Sequence, residues 1–276
     1  MDDSYERLKD LLREIGGAVV AFSGGVDSTL VLAASSVALG RRAIAVTAVS
    51  PTYPEAELIR AKGLAKHLGS RHLVIETHEF EEAAYRANPS NRCYFCKKDL
   101  FEKLTQIAGE EGLPCVIDGA NADDLGDFRP GRDAARELGI RSPLAELGIG
   151  KMEIRRMAKE LGLPNWDRPS QACLASRIPY GEEITLAKLD RINRAETMLQ
   201  GLGFRQVRVR DHGALARVEV SPDELNNALR FSTRGQIINR CKEAGYTYVC
   251  LDLEGYRSGA MNEALSRPGT EEGGSS

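Results

Sequence analysis

The string SGGVDS, which directly follows a short apolar run, contains residue types suited to binding phosphate. Gly24 and Gly25 let backbone N–H groups approach an anion, and so does the start of the helix that follows. Ser23 and Ser28 add hydroxyl donors, whereas Asp27 repels phosphate unless a cation lies between them or the carboxylate caps the helix. Because the lysine of a Walker phosphate loop is missing, two interpretations stay open: a phosphate site, or a tight turn capped by Asp27 or Ser28.

A second group of reactive residues consists of three cysteines. Cys93 and Cys96 form C-x-x-C at the mouth of a predicted helix, whose N–H groups lower a thiol pKa, so we expect both to favour the thiolate. The pair suits a redox couple, half of a zinc site, or two ligands of an iron–sulfur cluster. Cys173 lies near two arginines in an irregular segment. If it meets the pair at the edge of a sheet, three thiolates would hold a [4Fe-4S] cluster by three of its irons.

Arg208 and Arg210 are two residues apart on a predicted strand, so both point to one face. Two guanidinium groups on one face suit a phosphate through bidentate hydrogen bonds. The alternative is a solvated basic face on an edge strand.

These residues depend on alternating strands and helices in the first part of the chain. A wholly apolar run at 18–22 predicts a strand covered on both faces, and further strands are predicted at 43–49, 72–78 and 114–120. Amphipathic runs predict helices between them, including one at 97–112 and one at 151–162. The alternation predicts an α/β fold with a doubly wound parallel sheet, whose ligand lies at the carboxyl ends of the strands.

The pattern changes after a Pro-rich irregular segment that ends near residue 180 and that we interpret as an ordered functional loop or a linker. Two predicted helices and three predicted strands follow, at 185–201, 205–210, 215–220, 222–244 and 247–253. We therefore predict a first domain at 1–180, a smaller α+β domain at 181–265 and a disordered tail at 266–276.

Composition narrows the class of protein. The 276 residues are 42% hydrophobic and 28% charged, which is typical of a soluble globular chain. No apolar run is long enough to span a membrane, and the acidic, polar start differs from a signal peptide, so we expect a cytoplasmic location and no membrane partner. A net charge of −3 disfavours nucleic acid as a partner and favours a small-molecule substrate. The six cysteines are then expected to be thiols, and Cys115, Cys241 and Cys250 core residues.

The whole string SGGVDS, between an apolar strand and a helix, resembles the signature of the PP-loop ATP pyrophosphatases, which have an adenine nucleotide alpha hydrolase-like fold. The resemblance implies that the loop holds the β and γ phosphates of ATP, that ATP is cut between α and β, and that AMP is left on the substrate. It also implies Mg²⁺ on the phosphates, with Asp27 as a catalytic residue. The end of the second strand, including Thr47, should flank the adenosine. Asn121 and Asp124, in an acidic segment after the fourth strand, should bind Mg²⁺ or the ribose, although such a segment is equally typical of an Asx-rich helix start.

Six blocks between residues 19 and 220 resemble the LarE family, the sulfur transferases that mature the nickel-pincer nucleotide cofactor of lactate racemase. The blocks are SGGVDSTLV, NPSNRCYFCKK, DGANADDLGDFRPG, RSPLAELGIGKMEIR, PSQACLASRIPYG and RVRDHGALARVEV. The resemblance implies adenylation of the carboxylates of pyridinium-3,5-biscarboxylic acid mononucleotide, followed by insertion of sulfur in two rounds. It also implies a homo-oligomer, a hexamer in the family, and a substrate phosphate bound by Arg208 and Arg210.

The family has two sulfur strategies, and the cysteines distinguish them. In one strategy a single cysteine, matching Cys173, gives up its own sulfur; in the other, three cysteines hold a [4Fe-4S] cluster that carries an extra sulfide. Since Cys93 and Cys96 accompany Cys173 here, the chain resembles the cluster-bearing branch, with Cys173 both catalytic and a metal ligand. The alternatives are a sacrificial Cys173, a tRNA thiolase of the PP-loop class, and an ATP-binding sensor that performs no chemistry.

Overall fold

The computed structural model describes residues 3–126, 130–169, 171–257 and 259–261. The chain divides into two compact units, with the boundary between Cys173 and Leu174. The tail predicted at 266–276 lies outside the described residues. None of the helices within the described ranges has the length and apolar character needed to cross a membrane.

The first unit is built on a parallel sheet of four strands. They are β1 (Ala18–Ala21), β2 (Ala43–Val49), β3 (Arg71–Glu76) and β4 (Cys115–Ile117). Their spatial order is β3-β2-β1-β4 and every pairing is parallel, which confirms the predicted sheet. The strand order reverses beside β1, the strand that runs into SGGVDS, and open α/β sheets bind ligands at such a reversal.

Helices cover both faces of this sheet. They are α1 (Asp3–Ile15), α2 (Val26–Leu39), α3 (Glu55–His67), α4 (Ala83–Arg86), α5 (Arg92–Glu110), α6 (Gly131–Glu137), α7 (Pro143–Glu146) and α8 (Lys151–Glu160). Successive residues of β1 face opposite sides: Val20 packs in a core with residues of α1, α2 and α8, and Val19 packs in a second core with residues of α5. The predicted doubly wound arrangement is therefore confirmed.

The helix that carries the C-x-x-C pair begins earlier than predicted. It starts at Arg92 instead of residue 97, so Cys93 and Cys96 lie inside its first two turns and not in the loop before it. Their thiols are consequently positioned by a helix whose later residues, Phe101 and Leu104, are buried against the sheet.

The second unit is the predicted α+β arrangement. It contains β5 (Val207–His212), β6 (Leu215–Val220) and β7 (Tyr248–Leu251), in that spatial order, with β5 antiparallel and β7 parallel to β6. Its helices are α9 (Leu186–Gln200), α10 (Leu225–Leu229) and α11 (Phe231–Glu243). The single helix predicted at 222–244 is wrong, because Arg230 has an extended ψ of 140° and separates α10 from α11.

Candidate active site

The loop between β1 and α2 contains SGGVDS and leaves the start of α2 open. Gly24 has a φ of +72°, and a Cβ built on it would lie 3.3 Å from the Cα and Cβ atoms of Ala61 on α3. Both the backbone conformation and this close approach therefore favour glycine. Gly25 is the N-cap of α2 and no side chain caps the helix, so the interpretation as a turn capped by Asp27 or Ser28 is wrong. The uncapped N–H groups of α2 suit an anion.

The two serines of the loop hydrogen-bond to each other and to the loop backbone. Their Oγ atoms are 3.2 Å apart, and Ser28 Oγ accepts the Ser23 N–H at 3.3 Å. Ser28 Oγ donates to the Gly25 carbonyl at 3.1 Å, while Ser23 Oγ accepts the Gly25 N–H at 3.3 Å. Most of these contacts are at the long end of the hydrogen-bond range, so the hydroxyls fix the loop without strong bonds that a ligand would have to break.

A lysine from a distant helix occupies the centre of this loop. Lys151 Nζ donates to Asp27 at 2.7 Å (Oδ1) and 2.5 Å (Oδ2). Burial raises the pKa of Asp27, Lys151 opposes that shift, and nearby Asp124 raises it further. The Lys151 backbone N–H donates to Asp123 Oδ2 at 2.7 Å, which fixes the start of α8. The loop that lacks a lysine in its own sequence therefore has one beside it.

The acidic segment after β4 is folded as an Asx-rich turn. Asn121, which is buried, accepts the Asp123 N–H through Oδ1 at 3.0 Å, and Asp124 Oδ2 accepts the Asn121 N–H at 3.1 Å. Asp118 Oδ1 accepts the Ser142 hydroxyl at 2.7 Å. Of the predicted ligands, Asp124 lies within electrostatic reach of Asp27 at the loop, whereas the Asn121 side chain stabilises the turn.

Thr47, predicted to flank the adenosine, lies inside the sheet and is only 1% exposed. Its hydroxyl donates to the Phe22 carbonyl at 2.7 Å and is 2.8 Å from His72 Nε2. This corrects the prediction: the side chain holds the residue before the phosphate loop in place and is not presented to a ligand. From the segment after β2, Tyr53 does reach the loop, donating its hydroxyl to the Ser23 carbonyl at 3.0 Å.

Of the three predicted metal ligands, Cys96 and Cys173 are half-buried and Cys93 is exposed. Burial raises the pKa of the Cys96 thiol, Glu79 raises it further, and Cys173 and Cys93 add to the shift. The prediction that the helix terminus favours the thiolate is therefore wrong for Cys96, because desolvation exceeds a dipole effect that fades after the first turn. The thiol donates to Glu79 Oε1 at 3.9 Å, a distance typical of a sulfur donor.

The same electrostatic neighbours surround Tyr85, which is 1% exposed. Burial raises the pKa of its phenol, and Cys173, Cys96 and Glu79 raise it further, in that order. Cys173, far away in sequence, therefore lies near Cys96 within the first unit. We call Cys93, Cys96, Cys173 and Glu79 the thiol site.

The donor set of the thiol site fits an iron–sulfur cluster better than a single metal ion. Among the described residues, no three potential ligands lie close enough to share one ion. A four-iron cluster does not need such proximity, because each thiolate binds a different iron. All six cysteines are thiols, and metal binding deprotonates even a thiol with a raised pKa.

In the second unit, Arg208 and Arg210 are buried, at 2% and 6% exposure, so the interpretation as a solvated basic face is wrong. Arg210 donates to both oxygens of Glu219, at 2.9 and 2.7 Å, and to the Ser176 carbonyl at 2.8 Å. Arg208 stacks over the Tyr256 ring, and burial together with Arg177 lowers its pKa to about 10. A buried guanidinium crowded by like charge is stabilised by an anion.

Four residues of these sites were not predicted from the sequence: Lys151, Glu79, Glu196 and Glu219. Lys151 follows a glycine at the start of a helix, in one of the blocks that resemble the LarE family, and that position was the available signal. Glu196 forms a buried two-bond ion pair with Arg177, both distances being 2.9 Å, and it resembles any other helical glutamate in the sequence.

Comparison with known proteins relates this chain to nucleotide-using synthases. Residues 11–93, which include the phosphate loop, match the asparagine synthase family. An uncharacterized protein of Synechocystis sp. is 47% identical over 97% of this chain and 100% of that protein. The pyridinium-3,5-bisthiocarboxylic acid mononucleotide synthase of Lactiplantibacillus plantarum is 38% identical over 94% of this chain and 92% of that protein. An argininosuccinate synthase of Natronomonas pharaonis is 30% identical over 52% of this chain and 39% of that protein.

Proposed function

The chain belongs to the LarE family of ATP-dependent sulfur transferases, and from this premise we propose the reaction that it performs. ATP activates the carboxylates of pyridinium-3,5-biscarboxylic acid mononucleotide as acyl-adenylates, and sulfur replaces AMP to give the bisthiocarboxylate. The product serves as precursor of the nickel-pincer cofactor of lactate racemase. The observation that carries this proposal is an uncapped glycine loop with Asp27 and Lys151 at its centre, in a chain that aligns over nearly its full length with the named synthase.

Activation uses the loop and the charges around it. The N–H groups of Gly24, Gly25 and the first turn of α2 bind the β and γ phosphates, with the hydroxyls of Ser23 and Ser28 beside them. Mg²⁺ bound with ATP supplies positive charge for the departing pyrophosphate. Asp27 and Asp124 would hold it, since Asp124 raises the pKa of Asp27 and a cation between the two carboxylates would relieve their repulsion.

Lys151 can then bind the phosphates of ATP instead of Asp27. When Asp27 is neutralised, the ammonium group is released from the carboxylate and turns to the phosphates, which lie within reach of the same loop. A mobile ammonium thereby supplies the charge that a Walker lysine supplies in other phosphate loops.

Sulfur delivery uses Cys93, Cys96 and Cys173. We propose that the three thiolates hold a [4Fe-4S] cluster, which supplies a site for an added sulfide that becomes the transferred sulfur. Mutual proximity of the thiols supports this role, because a sacrificial mechanism needs neither Cys93 nor Cys96. In the second unit, Arg208 and Arg210 bind the phosphate of the substrate, and copies of the chain form a homo-oligomer, a hexamer as in the family.

Anaerobic purification tests the sulfur source, with absorbance, iron content and intact mass measured before and after turnover. A brown protein with about four irons per chain, whose mass is unchanged by turnover, supports the cluster. Colourless protein that loses the mass of hydrogen sulfide at Cys173 contradicts it and supports sacrifice. Release of pyrophosphate and AMP on addition of the pyridinium mononucleotide tests the activation step separately, and its absence would reject the reaction itself.

A further inference from the structure

The thiol site contains an anion for which the reaction described above has no use. Glu79 is 2% exposed, and of its two carboxylate oxygens Oε1 accepts the Cys96 thiol at 3.9 Å. Oε2 is buried and has no hydrogen-bond partner. In the described part of the chain no lysine, arginine or histidine forms an ion pair with this carboxylate.

A carboxylate buried in this way is stabilised by a cation bound beside it. Burial of a charge without a partner costs several kcal/mol, and buried charges in proteins are normally paired or bound to a metal. The groups on which Glu79 acts are Cys96 and Tyr85, neither of which is a cation. Lys97 also acts on Cys96, but its ammonium group lies over the Phe101 ring, 5.5 Å from the centroid, and forms no ion pair with Glu79 in the described part of the chain. The missing positive partner is therefore one that binds thiols and a carboxylate together.

We infer that Glu79 is a fourth protein ligand at the thiol site, binding through its carboxylate the iron that Cys93, Cys96 and Cys173 leave without a thiolate. The inference rests on the proposed cluster. A carboxylate also suits this role better than a fourth cysteine would. An oxygen ligand binds iron in a sulfur-rich site less tightly than a thiolate does, so sulfide can displace Glu79 from the fourth iron. Glu79 thus keeps the position closed between turnovers.

The test compares Glu79→Gln with Glu81→Gln after anaerobic reconstitution with iron and sulfide. Glu81 lies two residues away, its side chain is 78% exposed, and it contacts His78 and not a cysteine, so the control removes the same charge from the same segment. The measurements are iron per chain, Mössbauer spectra of ⁵⁷Fe-loaded protein, and loss of iron to a chelator.

In the wild type and in Glu81→Gln we expect one iron with an oxygen-ligand spectrum. In Glu79→Gln that component disappears, and the affinity for the fourth iron falls by at least about 10-fold, as is usual when a group that supports a metal is removed. Glu79→Asp, which keeps the charge on a shorter stem, should recover part of the affinity.

Folding is checked on the iron-free proteins. Removing an uncompensated buried charge should leave the melting temperature of iron-free Glu79→Gln unchanged or raised, whereas a purely structural role predicts a fall. Identical spectra and chelation curves for the wild type and Glu79→Gln would overturn the inference and leave the cluster intact. A wild type that binds no iron overturns the cluster and the inference together.

Discussion

Replacing Lys151 by methionine tests the idea that this residue moves from Asp27 to the phosphates. The substitution keeps the apolar stem and removes the ammonium group that lies 2.5 Å from Asp27 Oδ2. Two unit charges 4 Å apart attract by about 4 kcal/mol at an effective dielectric constant of ~20. Loss of one preorganised donor to a developing oxyanion typically lowers kcat by about 10²–10³, which is ~2.7–4 kcal/mol. The two magnitudes agree, so we expect kcat for pyrophosphate release to fall by about 10²–10³.

The effect on stability should be much smaller. The two side chains of the pair are 32% and 24% exposed, so solvent screens their attraction and we expect the unfolding free energy to fall by only about 1 kcal/mol. Lys159→Met is the matched control, because it removes the same charge from the same helix and Lys159 lies over the ring of Trp166 instead of at the loop.

The assay is pyrophosphate release at varied ATP and Mg²⁺. In Lys151→Met we expect half-saturation at a lower Mg²⁺ concentration, because Asp27 no longer has an internal cation that competes with the metal. The reasoning is refuted if kcat of Lys151→Met stays within about twofold of the Lys159→Met control, a difference far below the loss expected for a transition-state donor.

Three further predictions concern the loop, the sheet below it and the second unit. In Gly119→Ala, the new Cβ would lie 2.8 Å from the Ser28 backbone nitrogen. We therefore expect the unfolding free energy to fall by about 1–3 kcal/mol and ATP binding, measured by calorimetry, to weaken. The control is Gly109→Ala on α5, where the new Cβ meets nothing within 4 Å, so the unfolding free energy should rise by about 1 kcal/mol. Burial lowers the pKa of His72, so its contribution to stability is present above about pH 6.5 and is lost as the pH falls through the lowered pKa. Urea titrations at several pH values should show a weaker pH dependence of the unfolding free energy in His72→Gln. An unchanged pH profile would contradict the lowered pKa of His72. Glu219→Gln leaves Arg210 buried without its carboxylate, so the unfolding free energy should fall by about 3 kcal/mol and inorganic phosphate should raise the melting temperature more than in the wild type; equal phosphate effects would argue against an anion site at Arg210.

β1 and β2 could be predicted because burial makes each of them a continuous, mostly apolar run, whereas β3, at the edge of the sheet, consists of exposed and half-buried residues. β2 spans Ala43–Val49, the residues expected from the sequence. Helix ends were less predictable. No proline or glycine marks the break at Arg230, and nothing local shows that the helix of the C-x-x-C pair already begins at Arg92. Those boundaries depend on tertiary packing, which overrides local propensity.

In the candidate site too, local features could be predicted from the sequence and contacts between distant residues could not. The glycine loop was recognisable because its residues are contiguous and their conformational needs are local, as the positive φ of Gly24 shows. Lys151 is 124 residues from Asp27, and their pairing depends on the placement of α8 against α2. Thr47 was assigned to the ligand from its position at the end of a strand, but strand position alone does not say whether a hydroxyl faces a ligand or the neighbouring backbone.

Buried charges are compensated differently in sites whose ligand exchanges and in a site proposed to keep its metal group bound. ATP enters and leaves in every cycle, and Asp27 has Lys151 as an internal partner while the loop is empty. Arg210 is paired with Glu219 in the same way, in the unit proposed to hold the substrate phosphate. Within the ranges that the structure describes, Glu79 has no such partner. A site that must be stable when empty needs an internal counterion, whereas a site that keeps its metal group does not, because the bound group itself supplies the charge. Among the described residues no cation forms an ion pair with Glu79, as we expect if the proposed cluster stays bound between turnovers.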